Sequence, residues 1–97
     1  MNITTLDPEQ ARNIAIAGLA RLAGDDDLLM RFSGLTGILP SDMRAVAGDP
    51  GFLVGVLDFY LGHEPDLIEW AKADGFPAET VLAARQALSP DEAGLFE

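Results

Sequence analysis

Residues 50–61 read Pro50-Gly51-Phe52-Leu53-Val54-Gly55-Val56-Leu57-Asp58-Phe59-Tyr60-Leu61, and Asp58 is the one charged residue among them. Proline fits the first turn of a helix because its missing N–H would be unpaired there anyway, and the preceding Asp49 is a favourable N-cap. A helix that is apolar nearly all round is a buried one. We therefore predict a central helix over about 50–61, with the rest of the chain packed around it.

Similar start signals on both sides of this segment predict further helices. The other prolines, at positions 8, 40, 65, 77 and 90, each have an acidic residue within the next two positions, where a carboxylate faces the positive end of the helix dipole. Asp7 with Gln10 fits a capping box, and Asp25 is a good N-cap. The predicted helices cover residues 8–23, 25–35, 40–47, 50–61, 65–74 and 77–88.

Helix ends and buried faces follow from the glycines and from the apolar spacing. Gly24, Gly34 with Gly37, Gly48 and Gly75 are predicted stops. Leu35, Ile68 and Leu82 fall at helical spacing from other apolar residues and are predicted to face inward. No alternation of apolar and polar residues indicates a strand. The predicted fold class is all-α, a compact orthogonal bundle of five to six short helices around the helix at about 50–61.

The size and charge of the chain limit its class. Ninety-seven residues predict a single domain over 1–97, with an ordered core at about 7–88 and an acidic tail at 89–97. Six basic residues against sixteen acidic ones give a net charge of −10, which disfavours binding to nucleic acids and to anionic membranes. There is no cysteine, signal-peptide pattern or run of membrane-spanning length, so we expect a cytoplasmic protein.

One group of side chains has the chemistry of a binding site. The only histidine, His63, lies in a turn with Glu64 and Asp66 and follows Asp58, and imidazole with carboxylates can hold a hard metal ion or act as a base. The spacing matches no known metal motif, and an exposed histidine before a helix explains the pattern better. We predict no catalytic residue and no cofactor.

Two features suit contacts with a partner. Gly51, Gly55 and Asp58 follow one another at helical spacing, so a ribbon without large apolar side chains runs along the central helix. Another helix of this chain, or that of a second copy in a homodimer, could approach closely there. Leu95 and Phe96 lie in the acidic tail and are candidates for docking back on the domain or for binding a partner.

The order of segments resembles a family of small alphaproteobacterial proteins of unknown function. The likeness spans about residues 8–88 and is carried by Leu35-Thr36-Gly37, by Pro50-Gly51-Phe52-Leu53 and by Val56-Leu57-Asp58. It also includes Gly75-Phe76-Pro77 and Val81. The resemblance implies a compact, all-helical cytosolic protein and supplies no activity, cofactor or catalytic residue.

These observations favour a protein that acts through contacts with other proteins. We predict a non-enzymatic interaction or adaptor module, with a protein partner that the sequence does not identify. One alternative is a small-molecule or metal-binding domain that uses the turn at His63, Glu64 and Asp66. Another is an acidic decoy that occupies a basic surface, whose binding would weaken strongly in salt.

Overall fold

The computed structural model describes residues 6–88, and within this range its helices confirm the all-α prediction. The predicted tail at 89–97 lies outside the described residues. A 3₁₀ turn over Pro40–Asp42 leads directly into the third of six α-helices. The α-helices are α1 (Pro8–Ala23), α2 (Asp26–Thr36), α3 (Met43–Val46), α4 (Pro50–Leu61), α5 (Glu64–Asp74) and α6 (Glu79–Leu88).

Aspartate side chains cap three of the helices at their N-termini, as predicted from the sequence. Asp7 accepts the backbone N–H of Gln10 at 2.8 Å, and the Gln10 side chain accepts the N–H of Asp7 at 3.1 Å, which completes the capping box. Asp25 caps α2 and Asp49 caps α4 in the same manner. Each such cap stabilises its helix by about 1 kcal/mol.

Glycines end two helices in the left-handed conformation. Gly37 after α2 has φ 78°, and Gly75 after α5 has φ 79°. These angles strain any residue with a Cβ, so glycine is the natural choice at both positions. Gly34 was also expected to stop α2, and that expectation is wrong. It lies inside the helix, which continues to Thr36 because its hydrogen-bonded ladder tolerates an isolated glycine.

The prolines at positions 40 and 77 open tighter turns than predicted. Pro40 begins a 3₁₀ turn, and the short helix predicted over 40–47 is an α-helix only over Met43–Val46. At Pro77, the N–H of Thr80 bonds to the Pro77 carbonyl at 2.9 Å, an i to i+3 pattern. The α-helical pattern of α6 therefore starts at Glu79, two residues later than predicted.

The core confirms the central position of α4. Seven of its twelve residues are buried, and it packs against both α1 and α6, while α2 lies on α1 and α5 lies on α4. Phe32 of α2 meets Phe52 and Phe59 of α4 edge to face, with ring centroids 5.9 and 5.4 Å apart. Edge-to-face contacts of this kind add to the stabilisation from burial. The largest fully buried side chains are Trp70, Tyr60, Phe32, Leu22, Leu53, Leu57, Val56 and Val81.

Three apolar residues predicted to face the core lie at the surface. Leu35 is 65% exposed, Leu82 is 48% exposed and Ile68 is 40% exposed. Helical spacing identifies an apolar stripe, but the neighbouring helices decide how much of that stripe they cover. In this bundle the neighbouring helices cover only part of the apolar stripe on α2, α5 and α6.

Among the described glycines, the tightest packing lies at Gly18 of α1 and not along the glycines of α4. A Cβ on Gly18 would lie 2.8 Å from Cη2 of Trp70 and 3.2 Å from the ring of Tyr60. At Gly55, by contrast, a Cβ would meet no atom of the described chain within 4 Å. The expected close approach of another helix of this chain along Gly51 and Gly55 is therefore wrong, because the bulky aromatic residues press on α1 instead.

No helix within residues 6–88 has both the length and the apolar character that crossing a bilayer requires.

Candidate functional site

An open apolar groove of about 330 Å³ lies between α1, α2 and the segment that contains α3. Its wall on α1 is formed by Leu19 and Ala23, which are one turn apart, and Leu29 supplies the wall on α2. The segment at Pro40 is too short to fill the space, because it makes one 3₁₀ turn and one turn of α-helix. We call this surface the apolar groove; its residues are Leu19, Ala23, Leu29, Pro40, Met43, Arg44 and Ala47.

The apolar surface continues from the groove along the outside of α1. Ile16 is 45% exposed, and it precedes Leu19 by three residues and Ala23 by seven. Residues with this spacing lie on one face of a helix. The exposed face of α1 is therefore apolar for about two turns beside the groove.

A second concavity, of about 580 Å³, lies on the other flank of α1. Asp25, which caps α2, and Asp74, at the end of α5, both line it and are exposed. Both carboxylates are held in place by their own chain, since Asp25 accepts two backbone N–H groups and Asp74 accepts the indole N–H of Trp70 at 2.9 Å. We call this surface the acidic cavity; its residues are Ala17, Ala20, Arg21, Gly24, Asp25 and Asp74.

Arg21 is the one cation that lines the acidic cavity. Its Nη2 lies 3.8 Å from Oε1 of Glu69, so the charge of Arg21 is paired with a carboxylate of α5. Its Nε atom is buried and has no hydrogen-bond partner among the described residues. With Arg21 and Glu69 offsetting each other, Asp25 and Asp74 leave the cavity negatively charged.

The residues of the alternative metal site, which the spacing did not favour, point to other partners. Asp58 accepts hydrogen bonds from Arg85 at 2.8 and 3.3 Å. His63 has Nδ1 2.8 Å from the carbonyl oxygen of Phe59, and its ring lies against the Phe59 ring with centroids 4.7 Å apart. Among residues 6–88, no group of three or more histidine, aspartate or glutamate side chains is arranged to hold a metal ion.

Asp66, the third acidic candidate, forms a two-pronged ion pair with Arg31. The guanidinium of Arg31 donates to both carboxylate oxygens, at 2.8 and 3.1 Å. These hydrogen bonds hold the pKa of the Asp66 carboxyl below its ordinary value and raise the pKa of Arg31. The pair links α2 to α5, while the neighbouring Glu64 is exposed at the start of α5.

The structure describes two of the four residues that were candidates for contact with a partner. Gly51 is exposed and Gly55 is half-buried on α4, and neither contacts another helix closely. Leu95 and Phe96 lie outside the described residues.

The apolar groove was not predicted from the sequence. Leu19, Ala23 and Leu29 stand at the helical spacing of buried apolar residues, so the sequence pattern does not separate them from the core. One signal could have indicated a second surface: α1 has isoleucine, leucine or alanine at most positions from 14 to 23, more than one buried stripe needs. An exposed apolar face of this kind is typical of an interaction site.

One protein family matches the chain over residues 8–91, a range that includes both concave surfaces. It is DUF3572, described as a protein of unknown function. The match confirms that the resemblance noted in the sequence is to an uncharacterised family. Among the curated proteins and among the solved structures, none matches the chain.

Proposed function

We propose a function for this chain, which belongs to the DUF3572 family of proteins of unknown function. It acts as a non-enzymatic interaction module and binds a protein partner in the apolar groove. The observation that carries this proposal is the groove itself, which joins three helical segments and continues onto exposed Ile16. Exposed apolar surface is unfavourable in water, and its burial under a partner is favourable.

The chemistry of the groove favours a polypeptide partner. Six of its seven residues are apolar, and Arg44 is the one charged residue at its edge. Open apolar grooves between helices commonly accept the apolar face of a partner helix. A small-molecule site would need several polar groups that converge on the ligand, and Arg44 is the one polar side chain among the seven described residues of the groove.

The lining of the groove supports a role other than catalysis. None of its seven described residues is an acid, a histidine or a nucleophile, so no general acid, base or nucleophile faces a partner bound there.

Site-specific cross-linking in living cells tests the proposal. A photoreactive benzoylphenylalanine placed at Ala23, at the edge of the groove, should form a cross-link to the partner that mass spectrometry identifies. The same residue at Ala73, an exposed alanine of α5 outside both concave surfaces, is the matched control. Equal yields at the two positions, or none at Ala23, would overturn the proposal. A cross-link between two copies, with a dimer in sedimentation, would identify the partner as a second copy.

A further inference from the structure

The apolar groove and the acidic cavity lie on opposite flanks of the same part of α1. The groove includes Leu19 and Ala23, and the cavity includes Ala17 and Ala20. A helix with its side chains is about 10 Å wide, so a single partner helix that lies over the end of α1 can reach both surfaces.

The acidic cavity favours a cation, because its one described basic residue, Arg21, is paired with Glu69 and leaves the charges of Asp25 and Asp74 unbalanced. Asp25 and Asp74 are fixed by hydrogen bonds within the chain, so they need little reorganisation to receive a partner's charge. The net charge of −10 adds a long-range attraction for basic segments.

The apolar groove has a different preference. Among the described residues that line it, Arg44, on the segment between α2 and α4, is the one charged residue. A partner's cationic side chain would be repelled at the Arg44 edge and attracted at the cavity. The two surfaces together therefore require a segment with one apolar face and one basic face, held in a single orientation.

We infer that the partner segment is an amphipathic helix with basic residues. Its apolar side chains, spaced three and four apart, occupy the apolar groove, and a lysine or arginine reaches Asp25 and Asp74. This inference rests on the proposed function, because it names the partner of the same surface.

Titration of the full chain with two designed peptides tests the inference. The first is a 14-residue helical peptide of leucine and lysine, with leucines at positions i, i+3, i+4 and i+7. The second has glutamate in place of every lysine. We expect the leucine/lysine peptide to bind at least tenfold more tightly. Similar binding of both peptides would overturn the inference.

Variants of the protein separate the local site from general charge attraction. Asp25→Asn and Asp74→Asn retain oxygens that accept the existing hydrogen bonds, and each should weaken binding of the leucine/lysine peptide about threefold. Glu9→Gln makes the same charge change at the opposite end of α1 and is the matched control. If Glu9→Gln weakens binding as much, the attraction is general and the inference is wrong.

A second pair of variants tests the groove. Ala23→Gln places a polar side chain at its edge and should weaken binding about tenfold, whereas Ala73→Gln on α5 should not. If both leave binding unchanged, the peptide does not use the groove and the inference is wrong. Displacement of the leucine/lysine peptide by a synthetic peptide of residues 89–97 would overturn the inference in favour of the tail as occupant. A cross-linked partner whose contacting segment is acidic or neutral would overturn it while the proposed function stands.

Discussion

The phenolic hydroxyl of Tyr60 donates a 2.8 Å hydrogen bond to the carbonyl oxygen of Gly18, 42 positions earlier in the chain. Both residues are buried, and the centroid of the Tyr60 ring lies 4.5 Å from the centroid of the Trp70 ring system. The bond joins α4 to α1 at the point where α5 meets them.

Tyr60→Phe should lower the free energy of unfolding by about 1 kcal/mol at neutral pH. The ring keeps its packing, so the change removes one hydrogen bond and leaves the buried carbonyl oxygen of Gly18 without its side-chain donor. Urea unfolding, followed by the fluorescence of Trp70, measures it. A variant as stable as the wild type would show that the bond contributes nothing net.

Alkaline pH should destabilise the wild type more than Tyr60→Phe. Burial raises the pKa of Tyr60 above its ordinary value, so the folded chain keeps a phenol proton that the unfolded chain releases near pH 10. The stabilisation is therefore complete below about pH 10 and is lost as the pH rises further. Because the chain has one tyrosine, its absorbance change reports this ionisation directly. Parallel loss of stability in both proteins would contradict the prediction.

Gly18→Ala should destabilise the protein, although alanine is the better helix former. The added Cβ would meet Trp70 at 2.8 Å, and overpacking of this kind costs about 1–3 kcal/mol. Gly55→Ala is the matched control, since its Cβ meets no atom of the described chain within 4 Å, and it should stabilise by about 0.5–1 kcal/mol. Thermal unfolding of the two variants tests whether their effects have opposite signs.

Two glycines near the end of α2 should also respond in opposite directions. Gly34→Ala lies inside the helix with open space around its Cβ, and we expect a gain of about 0.5–1 kcal/mol. Gly37→Ala forces a Cβ into a left-handed conformation with φ 78° and should cost about 1–2 kcal/mol. Chemical denaturation of both variants measures the difference. A stabilising Gly37→Ala would show that α2 does not end there in solution.

Acid should remove the contribution of Asp66. Its pKa is lowered chiefly by the hydrogen bonds from Arg31, so the ion pair stabilises the folded state at neutral pH. That contribution declines as the pH falls below about 4, the usual range of aspartate, and vanishes below the folded-state pKa. Asp66→Asn should therefore be less stable than wild type at pH 7 and equally stable in strong acid. Glu64→Gln, an exposed residue of the same turn, is the control and should show a smaller difference at pH 7.

Local signals predicted the helices well. The bounds of α1 and α4 follow from a capping aspartate, a proline at the start and a glycine after the last residue. The position of the close contact could not be predicted in this way. Among the glycines of residues 6–88, Gly18 is distinguished by Trp70 and Tyr60, which are far along the sequence and pack against it.

The apolar groove could not be predicted from the sequence either, because it also depends on how segments distant in the chain pack together. Leu19 and Leu29 have the spacing of buried residues, and nothing local shows that the segment at Pro40 is too short to cover them. The carboxylates around His63 do not form a common site, because Arg31 and Arg85, each from another helix, bind two of them.

The helices that bury the apolar side of α1 come later in the chain, and this order has a consequence for biosynthesis. The buried face of α1 packs against α4 and α6, so α1 leaves the ribosome well before the segments that cover it. During translation the apolar side of this segment lacks the helices that cover it in the folded chain, and the contact at Gly18 forms only after Trp70 has been synthesised.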